Sequence, residues 1–81
     1  MKVLRSGQVK ALDKFTIENE PILSINLMER ASGKCADWIT SHFGFEKEFK
    51  VFVGPGDNGG DGMAIARMLS EKGYYVEAYV S

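Results

Sequence analysis

The sequence predicts an α/β fold in which two helices lead into a single strand–helix–strand unit. Three observations predict it. Apolar residues recur at helical spacing up to about residue 42, and the period shortens to that of a strand at Phe49. Five glycines fall among the nine residues from Gly54 to Gly62, directly after that strand. The chain then closes on Tyr75-Val76-Glu77-Ala78-Tyr79-Val80, which alternates as a second strand.

The first helix is expected from about Gly7 to Asn19, with Ser6 as its N-cap. Val9, Leu12 and Phe15 or Thr16 would form its inner stripe. Pro21 ends it, and Glu20 before the proline is biased toward an extended backbone. Ser24 is a candidate cap for a second helix from about Ile25 to His42, with Met28, Ala31, Cys35 and Trp38 or Ile39 as its stripe. The small residues Ala31, Ser32, Gly33 and Ala36 allow another element to come close, and Gly44 supplies a stop.

Phe49 to Val53 is short, aromatic and β-branched with one charge, which suits a strand buried on both faces of a parallel sheet. After the glycine-rich turn, Gly62, Ile65, Ala66 and Leu69 sit at i, i+3, i+4 and i+7, a helix that stops at Gly73. Strand, helix and strand with short connections form a βαβ unit, for which a right-handed crossover is expected.

Composition excludes several classes. The chain has 81 residues, a formal net charge of −1 and no basic stretch longer than two residues, so a nucleic-acid footprint is not expected. No apolar run approaches the length needed to span a bilayer. Cys35 is the sole cysteine, and residues 1–5 are too short in apolar side chains for a secretory segment. A reducing cytoplasm is the expected compartment. Parallel strands usually need helices on both faces. A chain this short should therefore self-associate, pair with further chain, or fold only in part.

The glycine turn carries the chemistry. Glycine permits positive φ and lets a ligand approach the main chain. The following helix N-terminus presents unpaired N–H groups and partial positive charge, together an anion site. It lies outside the carboxyl end of a strand, where open α/β sheets bind ligands. Gly54-Pro55-Gly56-Asp57-Asn58-Gly59 matches G-x-G-x-x-G literally, yet Pro55 and the carboxylates of Asp57 and Asp61 argue against conventional dinucleotide binding. Asp61 is either an N-cap of the third helix or, with Asp57 and the Asn58 amide oxygen, part of a cation site. An EF-hand is excluded because Met68 stands where its terminal Glu belongs.

The run Val53-Gly54-Pro55-Gly56-Asp57-Asn58-Gly59-Gly60-Asp61-Gly62-Met63-Ala64-Ile65-Ala66-Arg67 closely resembles the G-P-G-N-N-G-G-D-G segment of the YjeF N-terminal family. Leu12-Asp13 with Thr16-Ile17 resembles the family's first-helix pattern, and Leu27-Met28-Glu29-Arg30-Ala31 its L-M-E-x-A segment. The resemblance spans nearly the whole chain in order. It implies a Rossmann-like three-layer αβα domain, of which residues 1–81 are the incomplete N-terminal part. It implies epimerisation of hydrated NADH and NADPH (NADHX and NADPHX) between R and S forms, with a dehydratase as functional partner and a homodimer as a possible assembly. Asp57, Asn58, Gly59, Gly60 and Asp61 would bind the substrate near its phosphates, and Asn58 would ligate a potassium ion. Asp57 departs from the family's usual asparagine and adds a charge there. The family's catalytic aspartate lies beyond the residues matched here, so no catalytic residue is expected within this chain.

Plainer readings stand beside these. Asn58 is also a good left-handed turn residue. His42 suits a helix C-terminus, Cys35, Trp38, Met28 and Met68 suit a core, and Tyr75 and Tyr79 suit a sheet face. Glu29 reads equally as a solvated charge or a polar group near the site. Against the epimerase stand two alternatives: a dehydrogenase-type nucleotide module and a non-catalytic scaffold.

Overall fold

The computed structural model describes residues 2–19, 22–54 and 57–81, with only the backbone described for Thr16, Asn19, residues 22–25 and residues 57–60. Six elements follow in the order β1 (Lys2–Leu4), α1 (Ser6–Asn19), α2 (Ile22–His42), β2 (Glu48–Val53), α3 (Asp57–Glu71) and β3 (Tyr75–Val80). β2 and β3 pair in parallel across α3, from Glu48 opposite Tyr75 to Val53 opposite Val80. The expected βαβ unit is therefore present, within an α/β fold.

β1 was not expected. It pairs antiparallel with the far edge of β3, Leu4 opposite Ala78, so the sheet is mixed, in the order β1-β3-β2. Three residues are too few to show a period, and only Leu4 of the three is buried.

α3 packs on β2 and β3, α1 packs on α3 and β3, and α2 packs along α3. The core lies between α3 and the sheet, where Val53, Met63, Ala66, Leu69, Val76 and Ala78 are buried together with Leu4, Val9 and Ala36. The opposite sheet face is open. Phe52 is 70% exposed and Lys50 is exposed, so β2 is not buried on both faces as its composition suggested. On that face Phe52 stacks on Tyr79 at 5.2 Å, and Glu77 accepts hydrogen bonds from the Tyr75 and Tyr79 hydroxyls. Those bonds, Tyr79's first, hold the Glu77 carboxyl below its ordinary pKa. Both tyrosines belong to a sheet face, as expected.

Helix boundaries show which local rules decided. Ser6 is the first residue of α1 rather than its cap. The Arg5 carbonyl takes the first helical bond, from Val9 N–H at 2.9 Å, and the Gln8 side chain reaches back to the Arg5 N–H at 3.2 Å. That return contact is half of a capping box. α2 begins at Ile22, three residues before the expected start, so Ser24 lies inside it. The readings of Glu20 and Pro21 fall outside the described residues. At the end of α3, Gly73 has φ +98°, its N–H bonds the Ser70 carbonyl, and the Tyr74 N–H bonds the Leu69 carbonyl. This is a Schellman stop at the expected glycine. The Tyr74 hydroxyl then donates to the Phe43 carbonyl at 2.6 Å, tying the end of α2 to the same corner. His42 ends α2, with its Nδ1 2.7 Å from the Trp38 carbonyl, an end-of-helix role as expected.

The buried stripes of α1 and α2 are rotated from expectation. In α1 Val9 is buried, but Asp13 takes the next inward position, while Phe15 is 61% exposed. In α2 the inward residues are Ser32 and Ala36, with Ile39, the alternative to Trp38, packed against the core; Cys35 is exposed and Trp38 is 58% exposed. The cause is the close contact with α3. Ser32 and Ala36 face it, which turns Ala31, Cys35 and Trp38 away by about 100° per residue. The core reading of Cys35 and Trp38 is thereby corrected; Met28 and Met68 are half-buried.

Candidate substrate-binding site

β2 delivers the chain to the C-terminal end of the parallel pair, and α3 starts three residues after Gly54. Asp57, Asn58, Gly59 and Gly60 form the first turn of α3, and Asp61 follows in the helix. The glycine-rich segment is thus largely helical rather than a loop leading to a helix. Asp61 is not an N-cap, because helix precedes it by a full turn. Pro55 and Gly56, and the side chains of Asp57 and Asn58, fall outside the described residues. The arrangement still brings the unpaired first-turn N–H groups to the mouth of the sheet, where the helix dipole is positive.

Three constraints fix that turn. A Cβ on Gly62 would lie 3.4 Å from Val53 Cγ2 and 3.7 Å from Val51 Cγ1, so α3 rides close on β2 at this point. Gly62→Ala is therefore expected to be near neutral, its tight contact offset by a helix-propensity gain of about 1 kcal/mol. Gly62→Leu is expected to cost about 1–3 kcal/mol by forcing α3 off the strand. Thermal melting of the two variants checks this, and equal melting of both would refute it. The second constraint is the buried Ser32 hydroxyl, which donates to the Asp61 carbonyl at 3.4 Å.

The third is an ion cluster that the sequence reading did not assemble. Arg67 donates to Asp13 of α1, to both oxygens of Glu29 of α2 at 2.6 Å, and to Glu71 of its own helix at 3.1 Å. Burial pulls the Arg67 pKa down, but the hydrogen bonds it donates to Glu29, Asp13 and Glu71 outweigh it and leave the pKa raised. Asp13 is fully buried, and desolvation raises its pKa against the opposing pull of Arg67. Its Oδ1 has no hydrogen-bond partner among the described residues. Glu29 is thus an interhelical ion-pair residue. The available sequence signal was Asp13 lying four residues after Val9, in line with the buried stripe.

A potassium ion needs several oxygen ligands. No group of three His, Cys, Asp or Glu side chains is placed to hold a metal ion among the described residues. The Val53 carbonyl is taken by Ser81 and the Asp61 carbonyl by Ser32. The described residues do not by themselves form a potassium site.

The sequence model of the YjeF-related protein N-terminus matches residues 24–81. The chain belongs to the YjeF N-terminal family. An NAD(P)H-hydrate epimerase of Limosilactobacillus fermentum is 43% identical over 72 residues, covering 89% of this YjeF N-terminal chain and 35% of the relative. An NAD(P)H-hydrate epimerase of Anaerococcus prevotii is 40% identical over 82 residues, covering 99% and 36%. The bifunctional NAD(P)H-hydrate repair enzyme Nnr of Thermofilum pendens is 38% identical over 80 residues, covering 99% and 15%. The YjeF N-terminal chain therefore spans about a third of the epimerases' length and 15% of that of the bifunctional enzyme. No solved structure gives a significant match. No helix among the described residues is long and apolar enough to cross a membrane.

Proposed function

We propose that this chain is the substrate-positioning front part of an NAD(P)H-hydrate epimerase domain. The observation that carries the reading is the first turn of α3, Asp57 to Gly60, presented at the carboxyl end of β2 within a family sequence shared with named epimerases. Its amides would hold the phosphates of NADHX or NADPHX and orient the hydrated ring. Asp61 would border that site, and Asp57 would tune its charge. Asn58 would give one carboxamide oxygen to a potassium ion, whose other ligands come from outside the described residues. The proton transfers at the hydrated nicotinamide carbon would be made by a residue that this chain does not contain.

The epimerised product would pass to a dehydratase, which the bifunctional Nnr relatives suggest is fused to this domain in some proteins. The open face bearing Phe52, Tyr79 and Val3 would be covered by the third layer of an αβα domain or, in the isolated chain, by a second copy. A cytoplasmic site of action fits a cofactor-repair role.

The test is turnover of R-NADHX, followed by chiral chromatography of the hydrate. A protein carrying the complete domain is expected to equilibrate the two forms, and the 81-residue chain alone is expected to leave them unchanged. Sustained turnover by the 81-residue chain would refute the assignment of chemistry to residues outside it. Failure of the complete domain to turn over either hydrate would refute the functional reading itself.

A further inference from the structure

Arg67 is the point at which the three helices are joined. It binds Asp13 on α1, Glu29 on α2 and Glu71 on α3, using both ends of its guanidinium. The cluster sets three carboxylates around one cation, and it leaves a buried Asp13 oxygen without a described partner. Such a group is poorly suited to adding stability, since desolvated ion pairs roughly break even against apolar replacements of the same volume. What it supplies is direction. Most other contacts of α3 are apolar, through Met63, Ala64, Ala66 and Leu69; the polar ones are single neutral hydrogen bonds, Ser70 with Ser6 of α1 and the Asp61 carbonyl with Ser32 of α2. Apolar burial is non-directional and sets how close the helix lies more firmly than where it sits along its own axis. A planar fork with three separate acceptors resists both sliding and rotation.

We propose that Arg67 is a positioning residue for the substrate turn: by clasping Asp13 and Glu29 it fixes the axial register of α3. It thereby sets where the amides of residues 57–61 are presented. The inference rests on the reading of that turn as the substrate site. Arg67 lies six residues after Asp61, about 9 Å along the helix. It acts through the helix and not by touching the phosphates. Ser32, bonded at 3.4 Å to the Asp61 carbonyl, is a weak tie between α2 and α3 at that length, and the exposed Asp37–Lys72 pair lies just past the far end of α3. Lysine would keep the charge but not the fork, so it is expected to serve poorly in this position.

The experiment compares Arg67→Lys, the double variant Asp13→Leu/Arg67→Met and the core variant Leu69→Ala in the protein carrying the complete domain. The double variant replaces the buried pair by apolar side chains and so separates register from charge burial. Both clasp variants are expected to raise KM for R-NADHX about tenfold while kcat falls less than about threefold. Both are expected to speed hydrogen exchange at the amides of residues 61–64, whose bonds to the carbonyls of residues 57–60 close that turn, relative to those of β3. Leu69→Ala, which loosens the core without touching the clasp, is expected to leave KM unchanged and to show no selective exchange at that turn. Should the double variant fail to fold, Arg67→Lys decides.

Wild-type KM together with wild-type exchange in the clasp variants overturns the proposal, as does an equal KM rise in Leu69→Ala. If the unmodified protein does not epimerise NADHX, the functional reading fails separately. The exchange comparison then decides the positioning role by itself.

Discussion

Arg67→Met is expected to lower the unfolding free energy by about 3–5 kcal/mol at neutral pH, the usual cost of removing one partner of a buried ion pair. The loss comes from what is left behind. Asp13 has no solvent exposure, and Arg67 supplies both a hydrogen bond and a compensating charge to it. Burial already holds the Asp13 pKa above its ordinary value of 3.8, and without Arg67 the pKa should rise further. A carboxyl with a raised folded-state pKa binds its proton more tightly in the folded protein. Its ionisation therefore costs stability as pH rises from the unfolded value, and that cost disappears once pH falls below it. The Arg67→Met defect should accordingly be greatest near pH 7 and shrink as pH falls toward about 4. Asp13→Asn cannot ionise, and its amide oxygen still accepts from Arg67. It should unfold within about 1 kcal/mol of wild type at pH 7 and lack the acid-dependent component. Urea unfolding of the three proteins between pH 4 and 8 reads both effects. A defect in Arg67→Met that is the same at every pH would show that the lone Asp13 carboxylate is not its source.

That cluster marks the limit of what the residues alone disclosed. The βαβ unit was legible because its signals are local: the alternation from Tyr75 to Val80, the run from Phe49 to Val53 and the stop at Gly73 each lie within a few neighbours. The helical stripes were less legible. Cys35 and Trp38 fit a helical period as well as Ser32 and Ala36 do. Only the approach of α3 selects the small residues for the inner face. β1 was missed because its three residues gain their strand from β3, whose pairing positions lie more than 70 residues away. At the candidate site, the sequence placed the glycine-rich segment at the strand end but began the helix too late. A glycine run reads as flexible turn, whereas α3 already begins at Asp57 and packs closely on β2 at Gly62. The Asp13–Glu29–Arg67 link joins residues 38 and 54 apart in sequence, so no local pattern announces it.

Leu69→Ala is expected to cost about 2–5 kcal/mol, the range for truncating a buried leucine that leaves a partly collapsed cavity. Leu69 is 1% exposed and stands in the core cluster between α3 and the sheet, next to Val76, Ala78 and Tyr74. Its carbonyl also takes the Tyr74 N–H of the Schellman stop, so side chain and backbone hold the same corner. A chain of this size has a total stability of roughly 4–12 kcal/mol, so the lost contacts are a large fraction of the whole. Each kcal/mol lowers the melting temperature of a small domain by about 4–8 °C, so a drop on the order of 10 °C or more should be read directly in a thermal melt. Cys35→Ala supplies the opposite case. The helical period placed Cys35 on the inner stripe, but it is exposed, and its truncation should change stability by less than about 0.5 kcal/mol. The difference between the two variants measures which side of the helical layer carries the core. If Cys35→Ala proved the more damaging, α2 would have to turn its other stripe inward, and the clasp between Glu29 and Arg67 would not form.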